Sequence, residues 1–137
     1  MKIAIIVPSL RGLAPVQVAM AVAVQLVRTG HAVTVYYFKT SSGLGKVEGI
    51  RFVKLNFLSR IDWDAYDIIH SHAFLPDAIV ALRKPRQSRA KSVSTIHNYV
   101  FPELKLLYNQ VVSSGIGWTW VSMWKKMDHV VVLTDDA

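Results

Sequence analysis

Two histidines stand at the end of a short apolar run, in the segment DIIHSH at 67–72. If this segment is a strand, His70 and His72 point to the same face, because side chains alternate along a strand. A second run, STIHN at 94–98, repeats the layout and places His97 directly after its apolar residues. In open α/β sheets, ligands bind at the carboxyl ends of the strands. The spacing therefore predicts that His72 and His97 lie at neighbouring strand ends and face one site.

The same histidines could instead form a metal site, since three imidazoles suit zinc. No cysteine or carboxylate accompanies His70, His72 and His97 at ligand spacing, which disfavours this alternative. We therefore predict that the chain binds no metal, that His70 is a hydrogen-bonded structural residue, and that His72 and His97 face a ligand. A stand-alone metal-dependent α/β hydrolase is a further hypothesis for the function, and it requires bound metal.

The loop after the first apolar run contains Arg11 and Gly12. Such a loop, followed by a helix N-terminus, offers backbone N–H groups to an anion. The G-x-G-x-x-G fingerprint of dinucleotide sites and the phosphate-binding P-loop are both absent. The segment YYFK at 36–39 also lacks the acid that holds a ribose. We predict that the protein uses no NAD and no other cofactor.

Apolar patterning predicts an alternation of strands and helices. The β-branched run at 2–7 is typical of a strand covered on both faces. A nearly apolar helix follows at 16–28. Pro15 suits the position where the helix begins, and Gly30 suits its C-terminal cap. A second strand is predicted at 31–38. Further strands are predicted at 50–57, 67–72, 92–97 and 128–134, and further helices at 74–82, 104–113 and 118–127, the last two separated by a break at Gly115 and Gly117. The predicted fold is a single Rossmann-like, three-layer α/β/α domain with a mostly parallel sheet.

The composition indicates an anionic partner. The 137 residues include 16 basic and 9 acidic side chains, a formal net charge of +7, and no cysteine. A phosphate-bearing substrate, a membrane surface and nucleic acid all fit this charge. The basic segment at 83–91 has no interleaved aromatic residues, so we predict no nucleic-acid binding. The chain has no apolar run of membrane-spanning length, and the lack of cysteine is compatible with the cytoplasmic location that we expect.

Three tryptophans, Trp118, Trp120 and Trp124, precede Lys125 and Lys126. One interpretation is core packing with a solvated lysine face, and the other is a helix that lies at a membrane surface. We predict that at least one tryptophan packs in the core. We also predict that the basic, tryptophan-rich surface attaches the protein peripherally to the inner face of an anionic membrane.

Together these motifs resemble the N-terminal half of GT-B glycosyltransferases, in particular glycosyltransferase family 4, whose members are retaining enzymes with nucleotide-sugar donors. The segment at 67–72 is similar to the family's D-[IV]-[IV]-H-x-H strand, and STIHN is similar to its T-x-H strand end. The segment DHVVVLT at 128–134 is similar to its A-D-x-[VI]-[IV]-x-[VL]-S strand. The opening strand, the loop SLRG at 9–12 and the segment RTGHAVTV at 28–35 resemble the family's start. The resemblance covers essentially all of the chain.

The resemblance implies that residues 1–137 form the acceptor-side domain of such an enzyme, and that the C-terminal donor-binding domain is absent from this chain. It implies that His97 is catalytic and lies beside the transferred sugar. The residues that it implies for substrate binding are Arg11, Gly12, His72 and Asn98. The implied reaction moves a sugar from a nucleotide-sugar donor, held by the missing half, to a saccharide or lipid-linked acceptor. The alternative is a non-catalytic binding subunit that pairs with a separate donor-binding chain.

Two positions depart from the family's pattern. Leu13 follows Gly12 where the family often has a second glycine, and Pro15 stands where it often has a polar or acidic residue. The first departure puts in doubt a close approach of the backbone to a phosphate at position 13.

Overall fold

In the part of the chain that the structure describes, the domain consists of six parallel strands and three α-helices. A computed structural model describes residues 1–10, 14–39, 47–56, 58–96 and 110–132. The strands are β1 (Lys2–Ser9), β2 (Ala32–Lys39), β3 (Ile50–Lys54), β4 (Ile68–His72), β5 (Lys91–Ile96) and β6 (His129–Val132). The helices are α1 (Ala14–Arg28), α2 (Phe74–Arg83) and α3 (Gln110–Trp124), and a 3₁₀ helix spans Trp63–Ala65. The prediction of a Rossmann-like α/β domain is confirmed.

The order of the strands creates a switch point in the middle of the sheet. The order is β3-β2-β1-β4-β5-β6, and every adjacent pair is parallel. From β1 the chain continues to one side through β2 and β3, and from β4 it continues to the other side through β5 and β6. The carboxyl ends of β1 and β4 therefore border the crevice where sheets of this type bind ligands.

The central strand β1 is buried along almost its whole length, as its β-branched run predicts. It is longer than predicted, because it continues past Pro8 to Ser9. Proline cannot donate a ladder hydrogen bond. The pairing with β2 accommodates this residue, since it passes from Val7 opposite Tyr37 directly to Ser9 opposite Lys39.

Gly30 ends α1 as predicted. Its φ is +92°, a conformation that L side chains rarely adopt. Its N–H donates to the carbonyl of Val27 at 3.0 Å, and the N–H of His31 donates to the carbonyl of Leu26 at 3.0 Å. This pair of bonds is a Schellman motif, which satisfies two of the last carbonyls of the helix.

The predicted break at Gly115 and Gly117 is wrong. The helix α3 runs without interruption from Gln110 to Trp124 through both glycines. Each glycine costs about 1 kcal/mol relative to alanine inside a helix. Tertiary contacts outweigh this cost, because the last turns of α3 pack on α2 and bond to a buried carboxylate, as described below. Residues 104–109 of the other predicted helix lie outside the described part of the chain.

Two apolar clusters cover the two faces of the sheet. The first lies under α1 and includes Ile5, Val7 and Val35. The second lies under α2 and includes Ile6, Ile69 and Ile79. The alternation along β1 and β4 thus fills both layers, and it positions the carboxyl ends of these strands rigidly relative to each other.

The crossover from β3 to β4 has no α-helix among its described residues, unlike the connections β1–β2, β4–β5 and β5–β6. Its only regular structure among the described residues of 55–67 is the 3₁₀ turn Trp63–Ala65. At the far edge of the sheet, β6 pairs with β5 and leaves Val130, Val131 and Val132 exposed by 39%, 43% and 58%. In the described ranges, no helix has the length and apolar character needed to cross a bilayer.

Ala73 joins β4 to α2 in a backbone conformation that is nearly restricted to glycine. Its φ is +77° and its ψ is 172°. Its carbonyl accepts the N–H of Asp77 at 3.1 Å and so begins the helix. A strained residue of this kind costs on the order of 1–3 kcal/mol.

We predict that Ala73→Gly stabilises the domain. Relief of the strain should exceed the extra entropy cost of glycine, for a net gain of about 1 kcal/mol and a rise in melting temperature of roughly 3 °C. Ala81→Gly, within the same helix, is the matched control and should lower the free energy of unfolding by about 1 kcal/mol. Thermal unfolding followed by circular dichroism measures both. Equal destabilisation by the two substitutions would contradict the prediction.

Candidate functional site at the carboxyl ends of β4 and β5

The histidines of β4 share one face of the sheet, as the alternation predicts. The ring centroids of His70 and His72 are 4.2 Å apart. The Nε2 atom of His70 lies 2.6 Å from the hydroxyl of Thr95, which β4–β5 pairing places beside His72. His70 is therefore hydrogen-bonded across the strands, as expected of a structural histidine.

His72 is completely buried, with 0% of its surface exposed. It ends β4 at the switch point, where the predicted site lies. A side chain in this state contacts a ligand only if the residues that cover it move. Its role in substrate binding therefore stays a prediction, and its burial gives it a second role in packing the strand end.

The other four predicted site residues lie outside the described part of the chain. Arg11 and Gly12 follow Leu10, just after β1, and His97 and Asn98 follow Ile96, the last residue of β5. Because β1 and β5 are the two neighbours of β4 in the sheet, both segments leave from strands that flank His72. Their roles in catalysis and binding stay predictions.

A buried carboxylate, which the sequence analysis missed, lies against the opposite face of β4. Asp77, on α2, is 0% exposed. The hydroxyl of Ser71 on β4 donates to its Oδ1 at 2.5 Å. The hydroxyl of Ser94 on β5 donates to Oδ1 at 2.8 Å and to Oδ2 at 2.9 Å. One carboxylate thus joins the two strands that carry the predicted histidines.

Two indoles of α3 complete the shell of Asp77. Trp120 and Trp124 each donate their Nε1–H to Oδ2, at 2.7 Å and 3.0 Å. The ring of Trp120 also packs edge-on against Phe74, with 5.4 Å between centroids. Both indoles are half-buried and directed toward α2, which favours inward packing over exposure of all three tryptophans. An indole N–H can only donate, so these two groups require an acceptor, which the carboxylate supplies.

Burial raises the pKa of Asp77 above its ordinary value, although the hydrogen bonds from Ser71, Trp120, Trp124 and Ser94 each lower it. The sequence does contain a signal for this residue. Ser71 and Ser94 occupy inward positions of buried strands, and Asp77 stands one turn into an otherwise apolar helix. Buried hydroxyls need partners, and an acid on the covering helix is the nearest acceptor.

Within the described ranges, no group of three histidine, cysteine or acidic side chains has a geometry that could hold a metal ion. The predicted alternative of a three-histidine site also involves His97, which lies outside those ranges.

The strand order and the polar residues around the switch point define a Rossmann-like α/β domain with its candidate site at the carboxyl ends of β1, β4 and β5. The family model described as "Glycosyltransferase Family 4" matches residues 16–137. The chain therefore belongs to glycosyltransferase family 4.

Two curated relatives have a similar sequence. Both are described as "O-antigen biosynthesis glycosyltransferase WclY" from Escherichia coli, and each is 42% identical to this chain over 73 residues. The aligned region covers 53% of this chain and 21% of each relative. The chain thus spans about a fifth of the length of these relatives.

We predict a graded loss of stability when Asp77 is replaced. Asp77→Leu leaves two indoles and two hydroxyls without their acceptor, and should lower the free energy of unfolding by about 3–5 kcal/mol. Asp77→Asn should cost only about 1 kcal/mol, because its amide oxygen can accept from the indoles while the serine hydroxyls turn to accept from its NH₂ group. Urea unfolding measures both. The control Asp62→Leu changes an exposed acid, and a loss there as large as that of Asp77→Leu would contradict the assigned role.

The same variants test the raised pKa of Asp77. Folded Asp77 holds its proton to higher pH than the unfolded chain, so its contribution to the free energy of unfolding falls as pH rises above the ordinary value of 3.8. Asp77→Asn removes this titration, so the amount by which the wild type exceeds the variant in free energy of unfolding should grow as pH is lowered toward that value. A difference that is constant with pH would contradict the raised pKa.

Proposed function

We propose that this chain is the acceptor-binding half of a retaining glycosyltransferase, which transfers a sugar from a nucleotide-sugar donor to a saccharide or lipid-linked acceptor. Membership of glycosyltransferase family 4 supports the reaction class. The observation that carries the proposal is the switch point between β1 and β4, with the segments after β1 and β5 on either side of His72. The names of the relatives, which refer to O-antigen biosynthesis, favour a saccharide acceptor.

In this proposal His97 is the catalytic residue and helps to orient or polarise the reacting groups beside the transferred sugar. Asn98 and His72 line the same cleft. Arg11 and Gly12 border the donor phosphates or the acceptor, since a guanidinium beside a βα turn suits a diphosphate. Support for the proposal comes from β4, which ends at His72, and β5, which precedes His97 in the sequence, because Ser71 and Ser94 join these two strands through Asp77.

Residues 1–137 are proposed to act together with a donor-binding domain. Correct positioning of donor and acceptor in a closed cleft is worth about 7–11 kcal/mol of the reaction barrier. A half that holds one partner lacks most of this contribution. In the alternative, this chain is a binding subunit, and a separate polypeptide supplies the donor-binding domain and completes the cleft.

We predict that the 137-residue chain alone transfers no sugar, whereas a protein that joins it to a donor-binding domain does. The assay supplies a panel of nucleotide sugars and saccharide acceptors and follows the transfer of radiolabelled sugar. In the active protein, His97→Ala should lower kcat by about 100-fold or more with little change in melting temperature. The variant His31→Ala, whose imidazole bonds to the N-terminal amine, is the matched control and should keep full kcat.

Several outcomes would contradict this proposal. Sugar transfer by the chain alone, or calorimetric binding of a nucleotide sugar to it at micromolar concentration, would mean that the donor site is misplaced. Full turnover in His97→Ala would remove the catalytic role. If the gene encodes no donor-binding domain and only a mixture with a second protein is active, the binding-subunit alternative is correct.

We also propose peripheral attachment to an anionic membrane. Lys84, Arg86, Lys125 and Lys126 line one groove between the C-terminal ends of α2 and α3. Trp118 is 64% exposed and Leu82 is 71% exposed, which supports contact with lipid. Trp124 is removed from the predicted contact surface, because its N–H bonds to Asp77.

We predict that the chain floats with vesicles that contain anionic lipid and that high salt releases it. Each basic residue near the surface contributes roughly 1 kcal/mol, so Lys125→Gln with Lys126→Gln should reduce partitioning by about tenfold or more. The charge-matched control Arg28→Gln with Lys54→Gln lies away from the groove and should have a smaller effect. Equal recovery with neutral vesicles, or equal loss in both double variants, would contradict attachment through this groove.

A further inference from the structure

A cavity lies on the α2 face of the sheet, below the crossover that joins β3 to β4. Its volume is about 400 Å³, which is the size of a small-molecule site. Its apolar walls come from β2, from α2 and from the crossover, and consist of Phe38, Leu55, Ile61, Trp63 and Ile79. The space exists because the described part of this crossover has a single 3₁₀ turn, whereas the connections β1–β2, β4–β5 and β5–β6 each contain an α-helix.

Two arginines give this apolar cavity a positive side. Arg60 and Arg83 both line it, and none of its described lining residues is acidic. The guanidinium of Arg83 donates to the carbonyl of Ser59 at 3.4 Å, which holds it against the crossover. Guanidinium groups are weakly hydrated and bind phosphate or carboxylate through two parallel hydrogen bonds.

Residues around the cavity extend both its apolar wall and its positive charge. Leu58, at its rim, is 91% exposed and extends the apolar wall toward solvent. A second cavity of about 510 Å³ on the other side of the crossover shares Arg60 and adds Arg51 and Lys54. It contains one acid, Asp62, so basic side chains outnumber acidic ones in the linings of the two cavities. A ligand that combines an anionic group with an apolar body matches this arrangement.

We propose that the cavity binds an amphipathic anion, a hydrocarbon chain that ends in a phosphate or a carboxylate. The chain lies between Phe38 and Ile79, and the anionic group is bound by Arg60 and Arg83. The site is separate from the switch point and uses none of the residues assigned to sugar transfer. The proposal of this site is therefore independent of the proposed function.

Isothermal titration calorimetry on the 137-residue chain tests this site with four probes: octyl phosphate, octanoate, octanol and inorganic phosphate. One octyl phosphate or octanoate should bind per chain, at least about tenfold more tightly than octanol or inorganic phosphate, because only these probes satisfy both halves of the cavity. Preference between the first two identifies the head group. Inorganic phosphate or octanol that binds as tightly as the amphipathic probes would overturn the proposal.

Matched variants locate the bound probe. Arg60→Gln and Arg83→Gln should each weaken binding by about tenfold, whereas Arg28→Gln, an exposed arginine on α1, should leave it unchanged. The probe should change tryptophan fluorescence in the wild-type chain and much less in Trp63→Phe. Circular dichroism confirms that each variant is folded, and Arg60, which is exposed, suffices if Arg83→Gln does not fold. Equal weakening in Arg28→Gln, or an undiminished fluorescence change in Trp63→Phe, would overturn the assignment.

Discussion

A single buried carboxylate holds together the half of the domain that carries the candidate site. Asp77 accepts hydrogen bonds from a serine on β4, a serine on β5 and two indoles on α3. Burying a carboxylate away from water is costly, and the four donors around Asp77 offset part of that cost. Because the donors come from β4, β5 and α3, the carboxylate fixes the distance between the two strands and the position of α3 above them.

Because side chains alternate along a strand, the two faces of β4 have different roles. Ser71 points toward α2 and secures the strand, while His70 and His72 point toward the other face and the predicted ligand. A slip of one residue would exchange these roles, since neighbouring side chains lie on opposite faces. The network of Asp77 therefore also fixes the register in which the histidines are presented.

Local rules predicted much of this fold. The continuous apolar run of β1, the glycine at the end of α1 and the alternation of the histidines are each determined within a few residues. The failures depend on distant partners. The helix α3 tolerates Gly115 and Gly117 because its tryptophans bond to a residue some forty positions earlier. Asp77 and the cavity below the crossover were missed for the same reason. The hydrogen-bond partners of Asp77 and the lining residues of the cavity come from segments that meet only in the folded chain. The positions after β1 and β5 were predicted from motifs, and they lie outside the described residues.

The outer edge of the sheet has a consequence for handling the protein. β6 is short and its three valines are partly exposed, and within the described ranges no further strand pairs with its free side. Unpaired backbone N–H and C=O groups beside β-branched side chains form a template on which another chain can add a strand. In concentrated solution, two copies of the protein should therefore associate first through this edge.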